Sequence, residues 1–118
     1  MVRQPERAYA ADLATAQRAR DIILRVDGAR VRAIILFGSR ARGDACPGSD
    51  FDILVVTRGQ TADEMQAYRL ELWRAFWGTG IPVEPWVISE EEFEESKTVI
   101  GGLAYPAWKE GVVLHDNP

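Results

Sequence analysis

The sequence predicts an α/β fold, a small mixed β-sheet flanked by helices, and three observations predict it. Two apolar runs, Ala33-Ile34-Ile35-Leu36-Phe37 and Ile53-Leu54-Val55-Val56, are too continuous for strands with a wet face and belong in the centre of a sheet. Around them lie stretches whose apolar residues recur every three or four positions, Leu13, Ala16, Ile23 and Val26 before and Met65, Tyr68, Leu72 and Phe76 after, which is the period of a helix with one buried face. Two Ser/Thr-x-x-Glu sequences, Thr61 to Glu64 and Ser89 to Glu92, each follow a strand-like run and mark helix starts. Strands and helices therefore alternate.

Taken in order, Pro5-Glu6-Arg7 opens a helix that runs to about Val26, with Tyr9 at the head of its apolar stripe and Gly28 placed as a C-terminal cap. The first strand covers 31–37. The loop over 43–49 contains Pro47-Gly48-Ser49, a strong turn signal, and is expected to cover a bound ligand. A second strand covers 50–56. Thr61 then caps a helix that extends to about Trp77, where Leu70, Trp73 and Trp77 widen the apolar sector beyond one core face; with Trp108 in the tail over 103–114 they give more apolar surface than a three-stranded core needs. Gly78-Thr79-Gly80 breaks the chain before a third strand over 81–88, whose Glu84, Trp86 and Ile88 share a face. Pro85 removes a ladder N–H and marks this strand as an edge or a bulge. Ser89 caps the next helix, with Ile88 and Phe93 spaced as a hydrophobic staple, and a short helix over 103–110 precedes a strand-like tail, Val112-Val113-Leu114.

The chemistry concentrates in FGSRARGDACPGSDFDILVV, residues 37–56. Side chains alternate along a strand at about 3.3 Å per residue, so Asp50 and Asp52 point the same way with α-carbons on the order of 6.6 Å apart. Two carboxylates that close raise one another's pKa unless a cation lies between them, and hard oxygen donors suit Mg²⁺. Gly38 permits positive φ and close approach of a ligand to the backbone, while Ser39 offers a hydroxyl and a cap for a helical turn over 40–42. Free N–H groups at such a turn attract phosphate, and Arg40 and Arg42 add positive charge and a bidentate grip. Paired aspartates at a strand start also serve as plain turn residues. The Gly-Ser at a fixed distance, with a strand on each side, favours the metal reading.

Gly38-Ser39, ten residues, then Asp50-Phe51-Asp52 resembles the signature of the minimal nucleotidyltransferases (MNT) of the DNA polymerase β superfamily. The GSRARG opening is similar to members that act as antitoxins to HEPN-domain toxins. The resemblance implies a polymerase β-like fold, ATP as substrate with its phosphates over Gly38-Ser39, and Mg²⁺ held by Asp50, Asp52 and a third acid on the next strand. Glu84 stands at that place, although the family more often has Asp there and Pro85 follows. The acceptor it implies is a tyrosine of a cognate HEPN toxin, silenced by AMP transfer. Two alternatives stand beside this: a small-molecule nucleotidyltransferase of the aminoglycoside-modifying kind, which would need a second substrate-binding domain, and a binding-only antitoxin with a vestigial site, against which the intact Gly38, Ser39, Asp50 and Asp52 count.

With 118 residues, one nucleotidyltransferase domain is expected to span 1–118, large enough to bury roughly two-thirds of its unfolded surface without disulfides. The lone cysteine, Cys46, fits a reducing cytoplasm, and with the single histidine far away at His115 it has no partner for nucleophilic chemistry. No apolar stretch has signal-peptide or membrane-spanning length. A net charge of −4 argues against general nucleic-acid binding, which runs on Lys and Arg contacts to phosphate, and favours a basic protein partner.

Overall fold

The computed structural model describes residues 8–118. The expected helix start at Pro5-Glu6-Arg7 lies outside them. Helix α1, Ala10–Asp27, is followed by a 3₁₀ turn, Gly28–Arg30, and by strand β1, Val31–Phe37. A single helical turn, α2 (Ser39–Arg42), and the loop over 43–50 lead to β2, Phe51–Thr57. Helix α3 (Ala62–Ala75) crosses to β3 (Val83–Ser89), and α4 (Glu90–Ser96), α5 (Tyr105–Glu110) and β4 (Val112–Asp116) complete the chain.

The four strands form one mixed sheet in the order β3-β2-β1-β4. β1 runs antiparallel to both β2 and β4, while β2 and β3, joined through α3, are parallel. β1 and β2 are central, as their unbroken apolar runs require, and the proline-bearing β3 is an edge.

Side-chain alternation sends each central strand's apolar residues to two cores. Ile34, Leu36, Ile53 and Val55 pack with Ala16, Ala19 and Ile23 of α1 and Tyr68, Leu72 and Phe76 at α3. Ala33, Ile35, Leu54 and Val56 face the other way, onto Ile88, Phe93 and Ala107. Helices thus cover both faces. The Thr61 capping box is fully formed, with the Thr61 side chain accepting from the Glu64 N–H at 3.1 Å and Glu64 accepting from the Thr61 N–H at 2.8 Å. Ser89 accepts from the Glu92 N–H at 3.0 Å.

Four expectations are corrected or refined. Tyr9 is 60% exposed, because it precedes the first helical turn in extended backbone; the expected Ala16 and Ile23 do form the buried face of α1, together with Ala19. Gly28 is the C-terminal cap of α1 as expected, but with φ −63° it carries the chain into the 3₁₀ turn and does not take the left-handed conformation. The core has a fourth strand, β4. Trp108, expected as surplus apolar surface, packs partly buried against the second core, whereas Trp73 and Trp77 are exposed.

Candidate active site

One end of the sheet gathers the polar residues of the central stretch. β1 ends at Phe37, whose antiparallel partner is Asp52, and the parallel partner of Asp52 on β3 is Glu84. Adjacent strands lie about 4.8 Å apart, so the two acids are neighbours on the face that also carries Leu54 and Trp86. Asp50 lies just before β2, which begins at Phe51 rather than at Asp50, and its side chain is exposed.

Gly38 makes room for this arrangement. Its φ of 75° and ψ of −158° belong to a region open essentially only to glycine. A side chain there would have its Cβ 2.5 Å from Asp52 Oδ2. The bare backbone of the turn therefore faces the carboxylate with nothing between. Gly38, not Ser39, holds the cap position of α2: its carbonyl accepts from the N–H groups of Ala41 and Arg42, both at 3.1 Å, and Ser39 is the first helical residue. The first N–H groups of such a turn have no acceptor within it.

The Asp52 carboxyl is held above the ordinary carboxylate range. Burial is the main cause. The charges of Glu84 and Asp50 push the same way, while the Trp86 indole and the Arg42 charge pull it back. Trp86 Nε1 faces this carboxylate but does not close a hydrogen bond of ordinary geometry, and it is buried without a partner among the described residues. Sequence reasoning placed Trp86 on the face of Glu84 and gave it no role. The period-2 alternation of β3 was the available signal.

The two arginines separate. Arg40 donates to the Ser49 carbonyl through Nε (3.2 Å) and Nη2 (2.9 Å), pairs with Asp12 of α1 at 3.2 Å, and lies 4.7 Å over the Phe51 ring. Its guanidinium is engaged in bracing the loop over 43–50. Arg42 is half-exposed, with Asp44 at 3.2 Å and Glu110 at 3.8 Å, and its charge reaches Asp52. Cys46 is exposed in the braced loop.

The residues 17–110 match the family model of the nucleotidyltransferase domain. The chain belongs to this nucleotidyltransferase family. A protein from Sulfolobus solfataricus assigned to the nucleotidyltransferases is 25% identical, with a TM-score of 0.58 over 87% of this chain and 78% of that one. The MntA–HpeT toxin–antitoxin structure matches at 20% identity and a TM-score of 0.59, over 86% and 73% of the two chains. A tri-AMPylated Shewanella oneidensis HEPN toxin in complex with its MNT antitoxin matches at 19% identity and 0.50, over 89% and 73%. No curated protein matches the sequence. These likenesses place the nucleotidyltransferase in a polymerase β-like fold, in agreement with its mixed sheet.

The donor chemistry of the site fits a hard divalent cation. Among the described residues no three His, Cys, Asp or Glu side chains stand as a ready-made cage. Mg²⁺ does not require one, since it is commonly held by one or two carboxylates together with substrate phosphate oxygens. A partly buried carboxylate beside two more acids, facing bare backbone, supplies that partial set. No helix among the described residues is long and apolar enough to cross a membrane.

Proposed function

We propose that this nucleotidyltransferase is an Mg²⁺-dependent adenylyltransferase that moves AMP from ATP to a hydroxyl, a tyrosine of a HEPN-domain toxin, and so acts as an antitoxin. The observation that carries the reading is the position of Asp52, in register with Glu84 and with its Oδ2 in the space a side chain at residue 38 would fill. The family match and the AMPylated HEPN toxin of the Shewanella complex support the reaction and the acceptor.

In this reading the turn at Gly38-Ser39 receives the phosphates on its N–H groups, and Arg42 contributes positive charge beside them. Arg40, expected at the phosphate, acts by fixing the loop through Ser49 and Asp12. Asp50, Asp52 and Glu84 are the residues that would hold the metal. When bound, Mg²⁺ supplies charge stabilisation at the attacking and leaving oxygens. The acceptor oxygen attacks the α-phosphorus, the bond from that phosphorus to the bridging oxygen breaks, and pyrophosphate leaves. Glu84, half-exposed beside Asp52, takes the hydroxyl proton. Leu70 and Trp73 on α3, with Trp77 in the turn after it, present exposed apolar surface for the toxin.

The test uses ATP labelled at the α- or the γ-phosphate, incubated with the protein and a HEPN toxin encoded beside it. Stable label on the toxin from α-labelled ATP alone is expected, and none with Asp52→Asn. A toxin bound and silenced without label contradicts the enzymatic reading. Label on a small hydroxylated compound instead contradicts the protein acceptor.

A further inference from the structure

At the opposite end of the sheet lies a groove of about 240 Å³, open on one side and lined by Val26, Asp27, Arg30, Gln60, Glu64, Ala67, Tyr68 and Glu71. Arg30 precedes β1 and Gln60 follows β2, whereas Gly38 and Asp52 stand at the other ends of those strands. Seven strand residues at about 3.3 Å each put the groove roughly 20 Å from the candidate active site.

Two of its polar groups lack partners. Tyr68 is 3% exposed, its ring belongs to the first core, and its hydroxyl is buried with no hydrogen bond among the described residues. Gln60 Oε1 is in the same condition. A buried polar group left unpaired is destabilising, so two around one groove call for a polar occupant. One water needs only roughly 10–15 Å³, and the groove is far larger.

The surroundings state the charge of that occupant. Asp27, Glu64 and Glu71 supply three carboxylates against one cation, Arg30. That cation is already shared between Asp27 at 4.0 Å, Glu64 at 3.7 Å and the Gly59 carbonyl. The two unsatisfied atoms, Gln60 Oε1 and the Tyr68 oxygen, can both accept, and the exposed carboxylate of Glu71 lies close to the Tyr68 hydroxyl. Burial, with Asp27 and Glu71 close by, holds the Tyr68 phenol in its protonated form well above the ordinary range. What the two oxygens lack is a donor, and the carboxylates around them favour one with positive charge.

We propose that the groove between the end of α1 and the face of α3 is a binding site for a primary alkylammonium group, which donates to Tyr68 and Gln60 and sits among Asp27, Glu64 and Glu71. The group comes either from a free amine or from a lysine side chain, and it is held apart from the nucleotidyltransferase site.

The experiment is NMR titration of the ¹⁵N-labelled full chain at constant ionic strength, with the Gln60 side-chain amide as reporter. The probes are butylammonium, Nα-acetyl-lysine amide, and the uncharged butanol. Saturable shifts at Gln60 and along 64–71 with either ammonium and not with butanol are expected, and the tighter of the two identifies the source. Tyr68→Phe, which keeps the ring, and Glu71→Gln, on an exposed side chain, are each expected to weaken binding at least about fivefold. Absence of saturation, equal shifts with butanol, or undiminished binding by either variant would overturn the proposal. It would be overturned equally by a Tyr68→Phe variant that melts higher than the wild type while the wild type binds no ammonium.

Discussion

Gly38→Ala probes the contact on which the site depends. Its Cβ would meet Asp52 Oδ2 at 2.5 Å, Cγ at 3.3 Å and Cβ at 3.4 Å, and it would impose a side chain on φ 75°, ψ −158°. The backbone part costs about 1–3 kcal/mol, as for other residues forced into a glycine-only region. Driving the Asp52 carboxylate off its rotamer adds about 0.5–1.5 kcal/mol. Asp52→Ala removes Oδ2 and Cγ but leaves the Cβ at ordinary contact distance, so it relieves the second part alone. Urea unfolding of the wild type, both single variants and the double variant forms a cycle that separates the two. Gly38→Ala should cost about 0.5–1.5 kcal/mol less in the Asp52→Ala background than in the wild type. Equal cost in both backgrounds would refute the packing of Asp52 against the turn, and no cost in either would refute the turn geometry as well.

Asp52 also makes a pH prediction. Its folded-state pKa is raised above the ordinary 3.8, chiefly by burial, so its stabilising contribution is present below that value and is lost as pH rises through the folded pKa. Without metal, the stability advantage of Asp52→Asn over the wild type should therefore grow from pH 4 to pH 7; an advantage independent of pH in denaturant melts would contradict this. Arg40→Ala removes the two bonds to Ser49, the mostly buried pair with Asp12 and the stacking on Phe51, and should cost about 2–4 kcal/mol by denaturant midpoint, against near-neutrality if the arginine were a solvated phosphate ligand. Trp73→Ser with Trp77→Ser should change stability by no more than about 0.5 kcal/mol per site and weaken toxin binding at least about tenfold, read by calorimetry; unaltered affinity would move the docking surface elsewhere.

The parts of the fold fixed by local rules were legible in the sequence. β1 was placed at its observed bounds because a continuous apolar run has no other home than a covered strand, and the Thr61–Glu64 box marked the start of α3 because both bonds are local. Glu84 was expected beside Asp52 because the family resemblance puts a third acid on that strand, and the register makes the two residues partners. What escaped depends on long-range pairing. The α1 core face includes Ala19, which adds little to a hydropathy pattern, and its smallness matters only once the sheet lies against it. Arg40 looks like a phosphate ligand until Asp12, 28 residues earlier, and the Ser49 carbonyl are folded against it. The indole of Trp86 acquires meaning only from the carboxylate on the neighbouring strand.

The central claim is that the carboxylates around Gly38 carry AMP transfer to a protein hydroxyl. Intact mass spectrometry of a HEPN-domain toxin, after incubation with MgATP and either wild type or Asp52→Asn, tests it most directly. One or more AMP units on a toxin tyrosine with the wild type, and an unmodified toxin with the folded variant, is the predicted result. An unmodified toxin with both, or equal modification by both, would contradict it.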